Sequence, residues 1–134
     1  MSDAHSFDFV VVGSGIAGLT FALKAARLGR VAVLAKRSLL ESNTAWAQGG
    51  VSCVLAEDDS FDLHVADTLD AGAGLCRAEV VRAIVADGPA RMAELTALGV
   101  AFSRAGNGRW DLGVEGGHTR RRILHKGDQT GLEI

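Results

Sequence analysis

The sequence has 134 residues, which is enough for about one domain with a single hydrophobic core. Hydrophobic residues make up 48% of it and charged residues 22%, and the formal net charge of −2 gives no reason to expect a nucleic-acid partner. No apolar run approaches the roughly 20 residues of a membrane span, and the polar residues 1–5 are not typical of a signal peptide. Cys53 and Cys76 form neither a disulfide framework nor a metal motif, so we expect two reduced thiols in a cytoplasmic protein.

A glycine-rich turn separates an apolar run from a helical pattern near the start of the chain. Residues 9–12 predict a buried strand, and apolar positions at helical spacing predict a helix over residues 16–28. Between them, Gly13, Gly15 and Gly18 have the G-x-G-x-x-G spacing, which permits a tight turn, a close approach of a pyrophosphate and close packing of the helix. The N–H groups and dipole of the helix N-terminus favour an anion. We therefore predict a dinucleotide-binding turn rather than a purely structural one.

A second buried strand is predicted over residues 31–34, after Gly29, which is expected to end the helix in a left-handed conformation. Strand, turn, helix and strand together predict a βαβ unit with a parallel pair, and so an α/β fold of Rossmann-like type. The acidic residue that usually binds the ribose after this strand is replaced by Ala35-Lys36. Lys36 and Arg37 are compatible with a 2′-phosphate, but they are also compatible with simple solvation, which is the commoner case.

The next stretch, residues 41–50, alternates small and amide side chains and ends in two glycines before an apolar strand over residues 51–55. This composition fits a polar loop with a glycine turn. It fits equally well a backbone packed against a flat ring, with Ser42, Thr44 and Gln48 offering hydrogen bonds. The residues alone leave both interpretations open.

A short helix follows, with Ser60 as its predicted N-cap and its end at Gly72 or Gly74. His64 and Asp67 lie three residues apart on this helix. That spacing favours a local contact between them over a catalytic dyad.

Two further helices are predicted over residues 78–86 and 89–98, because Gly88-Pro89 is expected to break a single one. A strand at residues 100–102 is then predicted. Gly106-Asn107-Gly108 is a hairpin turn signal, with a return strand close behind it. The sequence thus predicts a small β-hairpin in addition to the parallel sheet.

The last informative stretch begins at Glu115, a carboxylate beside two glycines. The arginines at 120–122 are typical of a solvated or salt-bridged face, although they are also compatible with an acidic ligand. Asp128 is predicted to cap a helix that begins near Thr130. Because the chain stops at Ile134 while this helix is starting, we expect it to be a piece of a longer protein.

Several blocks together resemble the succinate dehydrogenase/fumarate reductase flavoprotein superfamily and, within it, the L-aspartate oxidase family. The matching blocks occur in order along nearly the whole chain, at residues 43–50, 64–69, 71–75, 115–118, 121–125 and 128–131. The resemblance implies a Rossmann-like FAD-binding fold with a parallel sheet and a small β-hairpin. It also implies an incomplete domain, in which the whole chain is the N-terminal part of the FAD-binding domain and the capping and C-terminal helical domains are absent.

The resemblance implies that FAD is the cofactor. In this superfamily a pair like Ala35-Lys36 can replace the usual acid, which assigns Lys36 to the adenosine side. Membrane-bound members carry a histidine at the position of Asn43 that bonds covalently to FAD, so FAD is expected to be non-covalent here. The expected cofactor-binding residues are Gly13, Ser14, Gly15, Ile16, Ala17, Gly18, Lys36, Ser42, Asn43, Thr44, Ala47, Gln48, Gly49 and Gly50.

The resemblance also implies an activity. Glu115 matches the carboxylate with which aspartate oxidases recognise the α-ammonium group of their substrate, a role suited to a charge-assisted hydrogen bond. The implied reaction converts L-aspartate to iminoaspartate, passes a hydride equivalent to the flavin and uses O₂ or fumarate as acceptor. It is the first step of de novo NAD biosynthesis, with quinolinate synthase as an expected partner.

The main catalytic arginine of that family belongs to segments outside this chain. We therefore expect no catalytic residue within it and no oxidase activity from the chain alone. A soluble fumarate reductase or succinate dehydrogenase flavoprotein is one alternative. A non-catalytic nucleotide-binding module or a truncated product is another.

Overall fold

The computed structural model describes residues 5–134. Apart from His5, the polar N-terminal stretch, which is not typical of a signal peptide, lies outside the described residues. In chain order the elements are β1 (Phe9–Val12), α1 (Ile16–Ala25), β2 (Val31–Leu34), β3 (Val51–Ser52), α2 (Phe61–Ala71), α3 (Ala78–Ala97), β4 (Leu112–Gly113), β5 (Ile123–Leu124) and α4 (Thr130–Glu133).

The predicted βαβ unit is confirmed. Strands β1 and β2 pair in parallel, with Phe9 opposite Val31, and α1 connects them. Ala22 and Ala25 are the buried positions of α1, so small side chains let this helix lie close to the sheet. The α/β class and the parallel sheet therefore follow from the first quarter of the chain, as its hydrophobic pattern predicts.

The end of α1 differs from the prediction. The helix stops at Ala25 rather than Leu28, and Gly29 does not adopt a left-handed conformation. Gly29 is instead a site of close approach, because a Cβ there would lie 2.6 Å from Oδ2 of Asp8. That oxygen accepts a hydrogen bond from the Arg30 N–H at 2.7 Å, which ties the start of β2 to the residue before β1.

The prediction of two helices around Gly88-Pro89 is wrong. Helix α3 runs unbroken from Ala78 to Ala97 with Pro89 inside it. A proline in a helix interior removes one backbone hydrogen bond and strains the preceding turn. Val85 and Met92 are buried on either side of the proline, so packing on both halves keeps the helix continuous.

The remaining strands form a second, antiparallel sheet in which β5 lies between β3 and β4. Leu124 of β5 pairs with both Val51 and Leu112. Its side chain belongs to a buried cluster with Cys53, Met92 and Phe102, while Trp110 and Ile134 pack around it. This sheet and the adjoining α3 hold the main hydrophobic core.

The predicted hairpin turn is confirmed by the isolated pair Arg104–Trp110 and by a hydrogen bond from the Gly108 N–H to the Ala105 carbonyl at 2.9 Å. The strand predicted at residues 100–102 does not form, and the strand predicted over residues 51–55 is limited to β3. The Ala101 N–H is used by a glutamate side chain of α4, at 2.7 Å, rather than by a ladder.

Helix α4 begins at Thr130 as predicted, but Asp128 does not cap it. Its N-cap residue is Gln129, and no side chain makes a cap hydrogen bond. Within residues 5–134, no helix combines the length and the apolar character needed to cross a membrane.

Candidate functional site

The glycine turn lies at the carboxyl end of β1. Gly13 has a φ of +108°, a conformation that favours glycine, and its N–H donates to the Leu34 carbonyl of β2 at 2.8 Å. A Cβ on Gly18 would collide with the Gly13 carbonyl oxygen and would lie 3.3 Å from the Val11 side chain. The absence of a side chain at Gly18 therefore allows α1 to start close against the strand, as the motif predicts.

The N-terminus of α1 keeps hydrogen-bond donors available. Gly15 is its N-cap residue and provides no side-chain cap. Thr44 replaces that cap from a distant loop, because its Oγ1 accepts a hydrogen bond from the Ile16 N–H at 3.0 Å. Among the residues that the structure describes, none accepts a hydrogen bond from the N–H groups of Ala17 or Gly18. Two donors at the positive end of the helix dipole are thus left for an anion, which fits the predicted pyrophosphate.

Residues 42–50, which we name the flavin loop because they are predicted to line the flavin, pack between α1, α4 and β5. Thr44 contacts α1 through the bond just described, and the Ala47 carbonyl accepts a hydrogen bond from the Gly131 N–H of α4 at 2.8 Å. At the other end, Gly50 has a φ of +144°, and a Cβ there would lie 2.5 Å from the Leu124 carbonyl oxygen of β5. The loop is therefore fixed at its middle and its end by backbone contacts.

Some polar side chains of the flavin loop form hydrogen bonds within the loop, and others are exposed to solvent. The Ser42 hydroxyl accepts a hydrogen bond from the Ala45 N–H at 3.2 Å, whereas Asn43 and Gln48 are exposed. Trp46 is also exposed, with 77% of its surface accessible. Lys36 is exposed just beyond β2. The exposed amide groups thus stay available to a ligand, while Ser42 stabilises the loop itself.

Glu115 lies against the glycine pair of the flavin loop. A Cβ on Gly49 would lie 2.8 Å from Oε1 of Glu115, so this glycine leaves the space that the carboxylate occupies. The Glu115 carbonyl accepts a hydrogen bond from the His118 N–H at 3.1 Å, which closes a turn over residues 115–118. The structure therefore brings the predicted substrate-binding carboxylate to the loop predicted to hold the ring of FAD.

The three consecutive arginines differ in their partners: among the described residues Arg122 forms ion pairs, whereas Arg120 and Arg121 are exposed and form none. Arg122 has a fully buried side chain, and its Nε and Nη2 donate to the Asp59 carboxylate at 2.9 and 2.8 Å. Its Nη1 donates to Oδ2 of Asp67 at 2.7 Å. Arg120 and Arg121 donate to backbone carbonyl groups at 2.9–3.4 Å. We name the group of Arg122, Asp59 and Asp67 the buried ion cluster.

No hydrogen bond or ion pair joins His64 and Asp67, contrary to the predicted local contact. Asp67 instead accepts two hydrogen bonds from Thr119, and these bonds, with that from Arg122, hold the pKa of its carboxyl below the usual value. The His64 ring packs edge-on against His118, with centroids 5.9 Å apart. Burial lowers the pKa of His64, and the charge of Arg122 lowers it further, so its neutral form is favoured.

Sequence reasoning missed these partners because each pair is distant along the chain. Only the bond between Thr44 and the start of α1 could have been anticipated from the sequence. An N-cap glycine such as Gly15 leaves the first N–H groups of a helix without a side-chain acceptor, which indicates that a group from elsewhere supplies one. Thr44 is that group for Ile16.

A parallel βαβ unit, a glycine turn with donors left for an anion and a second loop packed on that turn define a dinucleotide-binding α/β protein. A model of the FAD binding domain matches residues 8–134. The chain belongs to the FAD binding domain family, and FAD is its cofactor.

Known relatives are similar over nearly all of the chain. It is 51% identical over 128 residues to a chloroplastic L-aspartate oxidase of Oryza sativa subsp. japonica, an alignment that covers 96% of this chain. It is 49% identical over 135 residues to an L-aspartate oxidase of Mycobacterium leprae, with 97% of this chain covered. The chain spans only 20% and 26% of the lengths of these two relatives.

A solved structure supports the same relationship. Quinol fumarate reductase of E. coli superposes with a TM-score of 0.88 and 33% identity, over 95% of this chain and 22% of that one. The resemblance to the flavoprotein superfamily and to L-aspartate oxidases is therefore confirmed.

Proposed function

We propose that this chain is part of an FAD-dependent L-aspartate oxidase, which converts L-aspartate to iminoaspartate with O₂ or fumarate as acceptor. The observation that carries the proposal is the position of Glu115, whose carboxylate lies against Gly49 of the flavin loop. Identity of 51% and 49% with two proteins named L-aspartate oxidase supports it. Bound FAD supplies the two-electron oxidant in this class of reaction.

In this proposal the residues near α1 hold the pyrophosphate. The unused N–H groups of Ala17 and Gly18 donate to it, and Gly13 and Gly15 leave room for its approach. Lys36, exposed at the end of β2, neutralises charge on the adenosine side. These are backbone and point-charge contacts, which suit a phosphate because they need no side-chain rearrangement.

The flavin loop holds the ring of FAD in the same proposal. Its exposed amide side chains offer hydrogen bonds, while Thr44 fixes the loop to α1. Asn43 has no nucleophilic ring nitrogen, so we expect the cofactor to stay non-covalent. The other residues proposed to line the flavin are Ser42, Ala47, Gln48, Gly49 and Gly50. Ser14 is proposed to hold the pyrophosphate, and Ile16 is a further proposed cofactor contact.

Glu115 orients the substrate by its amine. A carboxylate attracts the α-ammonium group of aspartate through a charge-assisted hydrogen bond. The same carboxylate repels a plain dicarboxylate such as succinate, which has no cation to offer. Preference for aspartate over succinate therefore depends on this residue.

The first test uses the flavoprotein that contains this chain. The purified protein is precipitated with acid, the supernatant is examined for yellow FAD, and H₂O₂ production is compared with aspartate and with succinate. We expect free FAD and aspartate-dependent H₂O₂. Flavin in the pellet or a preference for succinate would favour the succinate dehydrogenase or fumarate reductase alternative, and absence of flavin would favour a non-catalytic product.

A variant pair makes the test specific for Glu115. Loss of a charge-assisted hydrogen bond of about 1.5–3 kcal/mol corresponds to roughly a 10- to 150-fold decrease in kcat/KM for aspartate in Glu115→Gln. Glu57→Gln is the matched control, since Glu57 is exposed and reaches Arg109 only at 3.9 Å. Equal activities of the two variants would contradict the role of Glu115.

Three further predictions belong to this proposal. We propose that the reaction starts de novo NAD biosynthesis and that quinolinate synthase takes its product. The 134-residue chain alone is expected to oxidise no aspartate, and aspartate-dependent H₂O₂ from that purified chain would overturn this expectation. A cytoplasmic location stays a prediction, since the rice relative is named as chloroplastic.

A further inference from the structure

The turn that carries Glu115 is anchored by residues that lie outside the proposed contacts with FAD and substrate. We infer that Thr119 and Asp67 are positioning residues that set the preference of the site for a substrate bearing an ammonium group. The inference rests on the proposed function, because it concerns the residue assigned to recognise that group.

Thr119 directly follows the turn and is bound twice to the same atom. Its backbone N–H and its hydroxyl donate to Oδ2 of Asp67 at 2.8 and 2.9 Å. Asp67 is buried on α2, and Arg122 donates to the same oxygen at 2.7 Å. The end of the turn is therefore attached to a carboxylate that a helix and a buried cation already hold in place.

The turn itself would be loose without this attachment. Gly116 and Gly117 occupy its middle; Gly117 has a φ of +85°, and nothing lies within 4 Å of a Cβ built on Gly116. Glycines have broad conformational freedom, so they do not fix the direction of the neighbouring Glu115. The ring of His118 adds one further restraint, because it packs against the buried ring of His64.

The flanks of the loop are also held. The Arg122 N–H donates to the Gly113 carbonyl at 3.0 Å, where β4 and β5 pair. Between these paired strands, the bonds of Thr119 to Asp67 restrain the loop next to the turn, while Arg120 is held farther along by the Asp58 carbonyl at 3.0 Å. A change there moves the Glu115 carboxylate relative to the flavin loop, and displacements of about 1 Å at a reacting site can change rates about 100-fold.

This geometry predicts a selective kinetic effect. The groups expected to hold the substrate carboxylates belong to segments outside this chain, whereas the proposed ammonium contact depends on where Glu115 lies. Loss of the Thr119 hydroxyl is therefore expected to raise KM for aspartate about tenfold, in the range of one lost charge-assisted hydrogen bond. The inhibition constant of succinate, used as a competitive inhibitor, is expected not to rise, because displacement of Glu115 only weakens its repulsion of a dicarboxylate.

The test compares three variants in the FAD-loaded enzyme. Thr119→Val removes the hydroxyl bond but keeps the shape and the backbone bond, and Thr119→Ser restores the hydroxyl and should restore KM. Thr68→Val is the matched control, because its hydroxyl donates to the His64 carbonyl at 2.7 Å on the same helix without any bond to the turn. FAD content and the unfolding midpoint, measured for each variant, report a merely structural effect.

The results separate the inference from the proposed function. A raised KM for aspartate without a rise in the succinate constant in Thr119→Val, rescued by serine and absent in Thr68→Val, supports the inference. Equal changes in both constants, or none, would overturn it while the aspartate activity of the unmodified enzyme still supports the proposed function. An unmodified enzyme without aspartate activity would overturn both. If Thr119→Val gives no FAD-loaded enzyme, Asp67→Asn must show the same selective effect, and its absence overturns the inference.

Discussion

Replacement of Arg122 by methionine tests the buried ion cluster directly. The guanidinium is fully buried and makes three hydrogen bonds of 2.7–2.9 Å to Asp59 and Asp67. Methionine fills much of the volume but leaves two carboxylates in the interior without their cation. Removal of one partner of a buried ion pair costs about 3–5 kcal/mol. A loss of that size is a large part of the roughly 5–15 kcal/mol by which a domain is stable.

The assay is denaturant unfolding of the flavoprotein at pH 7, followed by circular dichroism. Arg82→Met is the matched control, since Arg82 and Asp62 form an exposed pair at 3.5 Å, and such pairs contribute about 0–1 kcal/mol. Without Arg122 the pKa of Asp67 rises, so protonation relieves the penalty and the difference from the unmodified protein should shrink as pH falls towards 4. A loss below about 1 kcal/mol, or one that does not change with pH, would refute the reasoning.

Three other predictions concern the glycine turn, the two cysteines and Asp67. Gly18→Ala forces the start of α1 away from the preceding carbonyl and is expected to weaken FAD binding at least about tenfold by fluorescence titration. Gly106→Ala, where a Cβ meets nothing within 4 Å, should leave binding unchanged, and equal effects would contradict the motif. Burial raises the pKa of Cys53 to about 11, so iodoacetamide at pH 8 should modify Cys76 but not Cys53 until denaturant is added. An adduct mapped to Cys53 of the native protein by peptide mass spectrometry would contradict this. The backbone N–H bound to Asp67 depresses the pKa of the Asp67 carboxyl. The ionised carboxylate therefore stabilises the fold above pH 3.8, and this contribution is lost as the pH falls through the pKa of the folded state. Asp67→Asn should weaken the acid dependence of the unfolding midpoint below about pH 4, and an unchanged dependence would contradict the assignment.

The elements predicted correctly are those that local sequence determines. Apolar periodicity gave the βαβ unit, and the cap at Ser60 was right because its hydroxyl accepts from the Leu63 N–H at 3.2 Å. The break at Pro89 was wrong because packing of distant residues outweighs the local cost of a proline. Local signals therefore locate elements well, but they do not show which elements tertiary contacts will join.

In the candidate site, too, the features set by local sequence could be predicted and those set by tertiary contacts could not. The glycine turn could be predicted from residues 13–18, since each glycine answers a local steric requirement. The approach of Glu115 to Gly49 followed only from a family resemblance, because no periodicity links the two positions. The partners of Arg122 had no signal at all, since a buried cation and a solvated one look alike in a sequence.

The exposed indole of Trp46 gives the flavin loop an optical property of its own. The chain has two tryptophans, and the other, Trp110, packs against Phe102 with the Arg104 guanidinium 3.7 Å above its ring. Excitation of tryptophan therefore yields two signals, one from a shielded position near the core and one from a hydrated position on the flavin loop. Isoalloxazine absorbs where tryptophan emits, so energy transfer would mark the arrival of the cofactor without any label.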